Sequence, residues 1–311
     1  MPPLKKLIIF GGVLLAVIVI IIFPSKKTTE EKFDVLESGE TLINYVKEIE
    51  GKPPAGRRQF IKEKLIQFAV PFTVMPFDTV LRSGGRHDTL HGENIIVTMG
   101  ARKRKIVVGA HCDAVPNAPG ANDNGSGVAL ILELIRTLKS HEFNHTVDFC
   151  FFDLEESGLI GSAVYVQRYD HSFTPVAMIN LDVEGTGDEI FVGPVGGGDD
   201  DIIMKYIHEA RDERQFPYEE NEIYPGSDHE SFARAPMENI SISMVAKGDV
   251  EKLVKWTKTG YRNIENPDDV PVVLKVMHTP EDKSEYMTPE ALYMSYQFTK
   301  TTLISLDDGE P

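Results

Sequence analysis

Short apolar runs rich in β-branched residues alternate along this chain with segments of helical periodicity, and this alternation limits its fold more than any other feature. Strands are predicted over residues 93–99, 105–110, 146–152, 176–181 and 189–192, and helices over residues 40–49, 57–70, 126–139, 159–169, 200–214 and 288–305. Strands that alternate with helices form a mostly parallel sheet that is covered on both faces. We therefore predict one α/β domain over residues 40–311, with a mixed, mostly parallel sheet sandwiched between helices.

The strand predicted over residues 105–110 ends in a His-Cys-Asp sequence that is typical of a metal site. His111 stands at the strand end, where functional side chains are commonly presented, and Asp113 is near enough to accept a hydrogen bond from its second ring nitrogen. Asp123 follows in a glycine-rich loop. Taken alone, this pattern is more typical of a structural histidine with a local hydrogen bond, and the metal interpretation stays open beside it at this point.

Other apolar runs are also followed by carboxylate or imidazole side chains. Glu155 and Glu156 come after one predicted strand, Asp182 comes after the next, and His278 follows a later apolar stretch. Two adjacent carboxylates cannot face the same way, so one can bind a cation while the other handles a proton. These groups can converge on the carboxyl edge of one sheet, and their mixture of imidazole and carboxylate favours zinc over calcium or magnesium.

The charge balance argues against one class of partner. The chain has 311 residues, with 48 Asp and Glu against 32 Lys and Arg and a formal net charge of -16. No basic cluster interleaved with aromatic residues occurs, so a nucleic-acid partner is not expected. Cys112 lies beside a candidate ligand and Cys150 lies inside an apolar strand pattern. We therefore expect two buried thiols and no disulfide framework.

The N-terminus predicts attachment to a membrane. Lys5 and Lys6 precede an unbroken apolar run from Leu7 to Phe23, whose length of about 17 residues is near the lower limit for spanning a bilayer. No small-residue cleavage pattern follows, so residues 1–27 are interpreted as an uncleaved anchor in preference to a signal peptide. Residues 28–39 predict a short tether. The domain is expected on the extracytoplasmic side, and secretion after signal cleavage is the alternative.

In the order of its motifs, the chain resembles the dinuclear-zinc leucyl aminopeptidase family, whose wider zinc exopeptidase group also contains glutamate carboxypeptidase and glutaminyl cyclase. The resemblance covers roughly residues 93–305. It rests on six motifs, which are VVGAHCD, PGANDNGSGVALILELIRTL, FCFFDLEESGLIGS, INLDVEG, GSDHESF and HTPED.

The resemblance implies a site with two zinc ions as cofactors. One ion would be bound by His111 and Asp182, the other by Glu156 and His278, and Asp123 would bridge both. These five residues are the ligand positions of the family motifs as they stand in this sequence.

The resemblance also implies two roles beside the metals. Glu155 would be the general base, and Asp113 would orient His111 without touching a metal. The family has a cis peptide bond after its bridging aspartate, which here would join Asp123 to Asn124, beside the permissive Gly125.

Claims about the substrate side are weaker. The family forms one wall of its specificity pocket from residues that match Tyr224, Ser227, Asp228 and His229, although a structural turn explains the same sequence. The chain between Met244 and His278 is longer than a minimal member needs. That stretch, residues 245–277, predicts either a rim that shapes substrate entry or, more simply, a surface insertion. The remaining histidines are expected to be surface residues: His87, His91, His141, His145, His171 and His208.

The predicted function is that of a zinc-dependent aminopeptidase, which acts on peptides with a free N-terminus through a two-zinc-activated water and a glutamate base. Three alternatives stay open. A carboxypeptidase of the same family needs basic groups for the terminal carboxylate, and no arginine stands in the motifs in that role. A glutaminyl cyclase uses one zinc, which the intact set of five ligands disfavours. A non-catalytic receptor-like ectodomain should have lost ligands, and this chain has not.

Overall fold

The computed structural model describes residues 29–83, 86–196, 201–235, 237–260 and 266–309. The predicted anchor over residues 1–27 lies outside these ranges and stays a prediction. Whether the full-length protein sediments with membranes and resists extraction at alkaline pH will test it. Within the described ranges, none of the helices combines the length and apolar character that a bilayer crossing requires.

An eight-stranded sheet forms the centre of the domain, with the strands in the order β1-β2-β4-β3-β5-β8-β6-β7. The inner strands are parallel, because β3 pairs in parallel with β4 and β5, and β5 pairs in parallel with β8. Antiparallel pairs join β1 to β2, β2 to β4 and β6 to β8, while β6 and β7 are parallel. The strands are β1 Thr73–Ser83, β2 Arg86–Met99, β3 Arg104–His111, β4 Thr146–Phe152, β5 Thr174–Leu181, β6 Glu189–Gly193, β7 Tyr218–Glu220 and β8 Glu238–Val245.

Helices cover both faces of this sheet, so the predicted α/β architecture is confirmed. The helices are α1 Thr29–Ile49, α2 Pro54–Gln67, α3 Gly127–Leu138, α4 Ile160–Gln167, α5 Ile202–Arg214, α6 His229–Ala233, α7 Val250–Thr259 and α8 Pro289–Gly309. One face packs against α1, α2, α3, α5 and α8, and the other packs against α4 and α6.

Because β3 is pleated, its apolar side chains pack on both faces of the sheet. Ile106 and Val108 belong to the larger core cluster with the α1 and α3 side chains, whereas Val107 packs with Cys150 and Met178 on the opposite face. Successive side chains of a strand point to opposite faces, so a strand covered on both sides is apolar throughout. Both cysteines are free and buried, as predicted.

Several elements differ from the predictions. Helix α1 begins at Thr29, so most of the stretch predicted as a tether over residues 28–39 is helical. Its Glu, Lys and Leu content favours a helix even without an apolar stripe. Strand β8 was not predicted, because its serines interrupt the apolar pattern. The surface prediction was wrong for His145, which is 1% exposed and bonds through its backbone N–H and ring nitrogen to Asp307 of α8.

Candidate active site

The side chains predicted as ligands and as the base gather in one cavity at the carboxyl edge of the sheet. His111 ends β3, Glu155 and Glu156 follow β4, and Asp182 follows β5. All four line a cavity of about 160 Å³, together with the two remaining predicted ligands, Asp123 and His278. The parallel inner strands bring these ends together, because parallel neighbours have their carboxyl ends at the same edge.

The ligand-type atoms form two groups of three that share Asp123. In the first group, His111 Nε2 lies 3.1 Å from Asp123 Oδ1 and 3.5 Å from Asp182 Oδ1. In the second group, His278 Nε2 lies 2.9 Å from Asp123 Oδ2 and 3.2 Å from Glu156 Oε2. Each oxygen of the Asp123 carboxylate therefore faces one group.

These residues fit a metal of the zinc type. Ligand atoms about 2 Å from a tetrahedral zinc lie about 3.3 Å from one another, which matches the distances from histidine nitrogen to carboxylate oxygen in both groups. Within the described residues, the buried Asp182 Oδ1, which faces His111 Nε2 in the first group, has no hydrogen-bond partner. Buried polar atoms are almost always paired, so an unpaired carboxylate oxygen at this place is suited to binding a cation.

Electrostatics around the histidines agree with a site built for cations. The His278 ring donates hydrogen bonds to the carboxylates of Asp123 and Glu156, which raises the pKa of His278 to about 10, although burial opposes this shift. Burial also acts against protonation of His111, but the nearby carboxylates, led by Glu155 and Asp182, raise its pKa well above the usual value.

Glu155 differs from its neighbour Glu156 in its surroundings. Burial raises the pKa of Glu155 to about 9, helped by Asp228, Asp182 and Glu156 and opposed by His111. Glu155 lines the cavity without belonging to either group of ligand atoms. The two adjacent carboxylates are thus placed for different tasks. Glu156 faces His278, whereas Glu155 is available to exchange a proton.

Asp113 acts on more than His111. Its Oδ1 lies 3.5 Å from His111 Nδ1, which is longer than a normal hydrogen bond. The same carboxylate accepts hydrogen bonds from the backbone N–H groups of Glu155, at 3.1 Å, and Glu156, at 3.2 Å. Asp113 therefore holds the loop that carries both glutamates, a role that the sequence did not indicate.

The peptide bond between Asp123 and Asn124 is cis, as the family resemblance implied. The Asn124 side chain donates to the Leu181 carbonyl at 2.8 Å and accepts from the N–H of Gly127 at 2.9 Å. These bonds link the Asp123 loop to the end of β5, next to Asp182.

A hydrogen-bonded chain of polar side chains supports Asp182. Ser227 Oγ donates to Asp182 Oδ2 at 2.8 Å, and the Asn180 amide donates to both Ser227 and Ser241 at 3.0 Å. Ser241 continues the chain to His229 Nδ1 at 2.8 Å. No sequence pattern indicates these roles of Asn180 and Ser241, since polar residues inside strands usually mark exposed positions.

The four residues predicted on the substrate side divide into two pairs. Tyr224 and Ser227 line the cavity, whereas Asp228 and His229 are buried behind its wall. Burial raises the pKa of Asp228 to about 7 and lowers that of His229 to about 4. In the structure, His229 supports the chain of bonds to Asp182.

An apolar wall closes the far end of the cavity. Phe191 and Tyr224 stack with their ring centroids 4.6 Å apart, and the rest of the wall comes partly from the long segment between β8 and His278. That segment contributes Leu253, Trp256, Val273, Leu274 and Met277. Its position agrees with the rim interpretation, one of the two that the sequence left open.

Asp249 holds this segment in place. It accepts hydrogen bonds from the Val272 N–H at 2.6 Å and from Lys252 Nζ at 2.8 Å. The bond to Val272 joins the start of α7 to a short 3-10 turn, Val273–Lys275, that precedes His278. The part of the wall that comes from this segment is therefore held to the rest of the domain by hydrogen bonds.

Residues 94–301 match the profile described as Peptidase family M28. The chain belongs to peptidase family M28. The match covers most of the domain and confirms the resemblance seen in the sequence motifs. Every ligand-type residue of the cavity lies within it.

Curated relatives of this M28 member are aminopeptidases by name. Aminopeptidase YwaD of Bacillus subtilis is 29% identical over 193 residues, which are 60% of this chain and 38% of that protein. The probable lipoprotein aminopeptidase LpqL of Mycobacterium tuberculosis is 47% identical over 72 residues, which are 23% of this chain and 14% of that protein. The chain thus spans well under two thirds of the length of these relatives.

Solved structures agree with the fold of this M28 member. A zinc aminopeptidase from Bacillus subtilis superposes with a TM-score of 0.69 at 17% identity, covering 86% of this chain and 94% of that one. A Bacteroides thetaiotaomicron glutaminyl cyclase superposes with a TM-score of 0.63 at 18% identity, covering 90% and 99%. At such identities the likeness shows the fold alone, and this fold hosts both activities.

Proposed function

We propose that this protein is a two-zinc aminopeptidase in which Glu155 is the general base. The observation that carries the proposal is the pair of ligand groups that share Asp123, one with His111 and Asp182 and the other with Glu156 and His278. A bridging carboxylate between two mixed imidazole and carboxylate sets suits two zinc ions. Family membership and the names of the relatives support the same conclusion.

In this mechanism the chain supplies a base, an anchor for the substrate and a closed pocket. A zinc pair supplies Lewis acidity, which makes water more acidic and a carbonyl more electrophilic. Glu155 accepts a proton from the attacking water on a carboxylate oxygen. It then donates that proton to the nitrogen of the leaving amine. Its carboxylate lines the cavity and is not one of the ligand-type groups, so it is available for this task.

Two features of the cavity favour cleavage at the N-terminus. The free α-amino group of a peptide can bind beside the Asp182 carboxylate, which an internal peptide bond cannot do. The apolar wall then accepts the side chain of the first residue. Because Phe191, Leu253 and Val273 line it, we expect leucine, methionine or phenylalanine to bind better than acidic residues.

The composition of the cavity also bears on the carboxypeptidase alternative. Among the described residues that line it, none is lysine or arginine. A carboxypeptidase needs a cation to bind the terminal carboxylate of its substrate. The lining therefore favours recognition of an amine over recognition of a carboxylate.

Purified full-length protein should contain two zinc ions per chain and release leucine from a peptide with a free N-terminus. The same peptide should react at least about 100-fold more slowly when its N-terminus is acetylated, because its α-amino group can no longer pair with Asp182. Mass spectrometry of metal and of products measures both quantities. A matched peptide with N-terminal glutamate tests the apolar preference.

Controls in the same assay separate the alternatives. Dialysis against a chelator should abolish hydrolysis, and added zinc should restore it. Cleavage of the acetylated peptide at its C-terminus would instead indicate a carboxypeptidase. Cyclisation of an N-terminal glutamine with loss of ammonia, without release of the residue, would indicate a glutaminyl cyclase. Protein that binds no zinc and releases no residue would contradict the proposal.

A further inference from the structure

Arg57 lies beneath the metal-binding loops although it comes from α2, far away in sequence. Its side chain is among the largest that are fully buried, with 1% of its surface exposed. Nε donates to the Cys112 carbonyl at 2.6 Å, and both terminal nitrogens donate to the Gly120 carbonyl at 3.1 Å. Nη1 also lies 3.3 Å from the Pro119 carbonyl.

The segment that Arg57 contacts connects two candidate ligands. Cys112 follows His111 directly, and Gly120 stands three residues before Asp123. One guanidinium therefore holds both ends of the connection between the ligand at the end of β3 and the ligand that both groups share. Because the guanidinium is planar and rigid, it fixes the distance between the two carbonyl oxygens.

Asp282 holds the same loop from its other side. Its carboxylate accepts from the N–H of Asn122 at 2.8 Å and from the N–H of Asp123 at 3.2 Å. Asp282 is 1% exposed and comes from the segment just after His278. The Asp123 loop is thus fixed by a cation on one side and an anion on the other.

The bonding of Arg57 is unusual for a buried cation. In the described part of the chain, all four hydrogen bonds of its side chain go to backbone carbonyl oxygens and none goes to a carboxylate. A buried charge without an ionic partner is costly, and a helix residue that served only packing would be apolar. The position of Arg57 next to the acidic side chains of the cavity accounts for its positive charge.

We propose that Arg57 is a positioning residue, which sets the separation of His111 and Asp123 by holding both ends of residues 112–120 and so prearranges the metal site. The inference rests on the proposed zinc function and deepens it. Arg57 touches neither substrate nor metal. Its effect is expected in how tightly the folded protein retains zinc, with little effect on KM.

The test compares the zinc release of folded wild-type protein with that of Arg57→Lys. Lysine keeps the charge but cannot bond both carbonyl groups at once. We expect zinc to pass to a competing chelator about 10- to 100-fold faster, the range found when residues supporting metal ligands are replaced. The visible spectrum of the cobalt(II) form should also shift, because the ligands change position. Excess zinc should restore most of kcat.

Arg136→Lys is the matched control. Arg136 also makes a two-pronged bond, through Nε at 2.7 Å and Nη2 at 2.6 Å, to the buried Glu133 three residues before it in α3. Its replacement should lower the unfolding temperature without changing zinc release or the cobalt spectrum. The comparison separates general loss of stability from loss of site geometry.

A folded Arg57→Lys protein with wild-type zinc release and cobalt spectrum would overturn the inference. So would slower release from Arg57→Met, since that result would mean that the charge opposes the metals and that geometry is unimportant. If neither Arg57 variant folds, Asp282→Asn tests the same loop, and unchanged zinc release there would equally count against it. Wild-type protein without zinc would instead contradict the proposed function.

Discussion

Replacing Glu155 with glutamine should lower kcat about 10²- to 10⁴-fold while the protein keeps as much zinc as the wild type. Glutamine has nearly the same shape but cannot accept a proton from water. The Glu155 carboxylate belongs to neither group of ligand atoms, so metal binding should survive. Turnover of a leucyl peptide and zinc per chain, measured on the same preparation, check the expectation.

Glu156→Gln is the natural comparison, because it makes the same change one residue away. Glu156 Oε2 lies 3.2 Å from His278 Nε2 and faces the second ligand group. This variant should lose zinc from that group as well as activity. If Glu155→Gln hydrolyses the peptide at close to the wild-type rate, the assignment of the base is wrong.

Replacing Asp123 with alanine should remove most of the bound zinc and all measurable hydrolysis. Its two carboxylate oxygens face the two ligand groups, at 3.1 Å from His111 and 2.9 Å from His278. Loss of the shared ligand affects both metals, and the several kcal/mol of transition-state stabilisation that metals supply correspond to at least about 10³-fold in rate. Metal analysis and a peptide assay measure the two effects.

The control for this variant is Asp307→Ala, which also removes a fully buried carboxylate. Asp307 bonds to the backbone of Asn144 and His145, far from the cavity. It should lower stability and leave zinc content unchanged. A folded Asp123→Ala protein that still binds two zinc ions would refute the role of Asp123 as the bridge.

The strand ends that carry the candidate ligands were predictable because β3, β4 and β5 are buried on both faces. Such strands are apolar throughout, so a polar residue at the end of the run marks a change of environment. His111 and Asp182 stand at these changes. The residue types of the site could therefore be predicted from the sequence alone.

The support of the site was not predictable in the same way. Asn180 and Ser241 are polar residues inside buried strands, and the sequence pattern does not show which side chains they contact. Arg57 looks like an ordinary basic residue on an amphipathic helix, and only the fold brings it to Gly120. Residues of this kind act through long-range contacts, which local sequence does not record.

The candidate ligands are spread along the chain from His111 to His278, on segments that only the complete sheet brings together. In an unfolded chain, bringing these ligands together costs a large loop-closure entropy. The unfolded state therefore has a lower affinity for metal than the folded state. Ligands that bind only the folded state stabilise it by mass action, by about 2.7 kcal/mol when free metal exceeds its dissociation constant 100-fold. The lifetime of this protein should therefore follow the zinc supply of its compartment, with metal-starved molecules the first to unfold and be degraded.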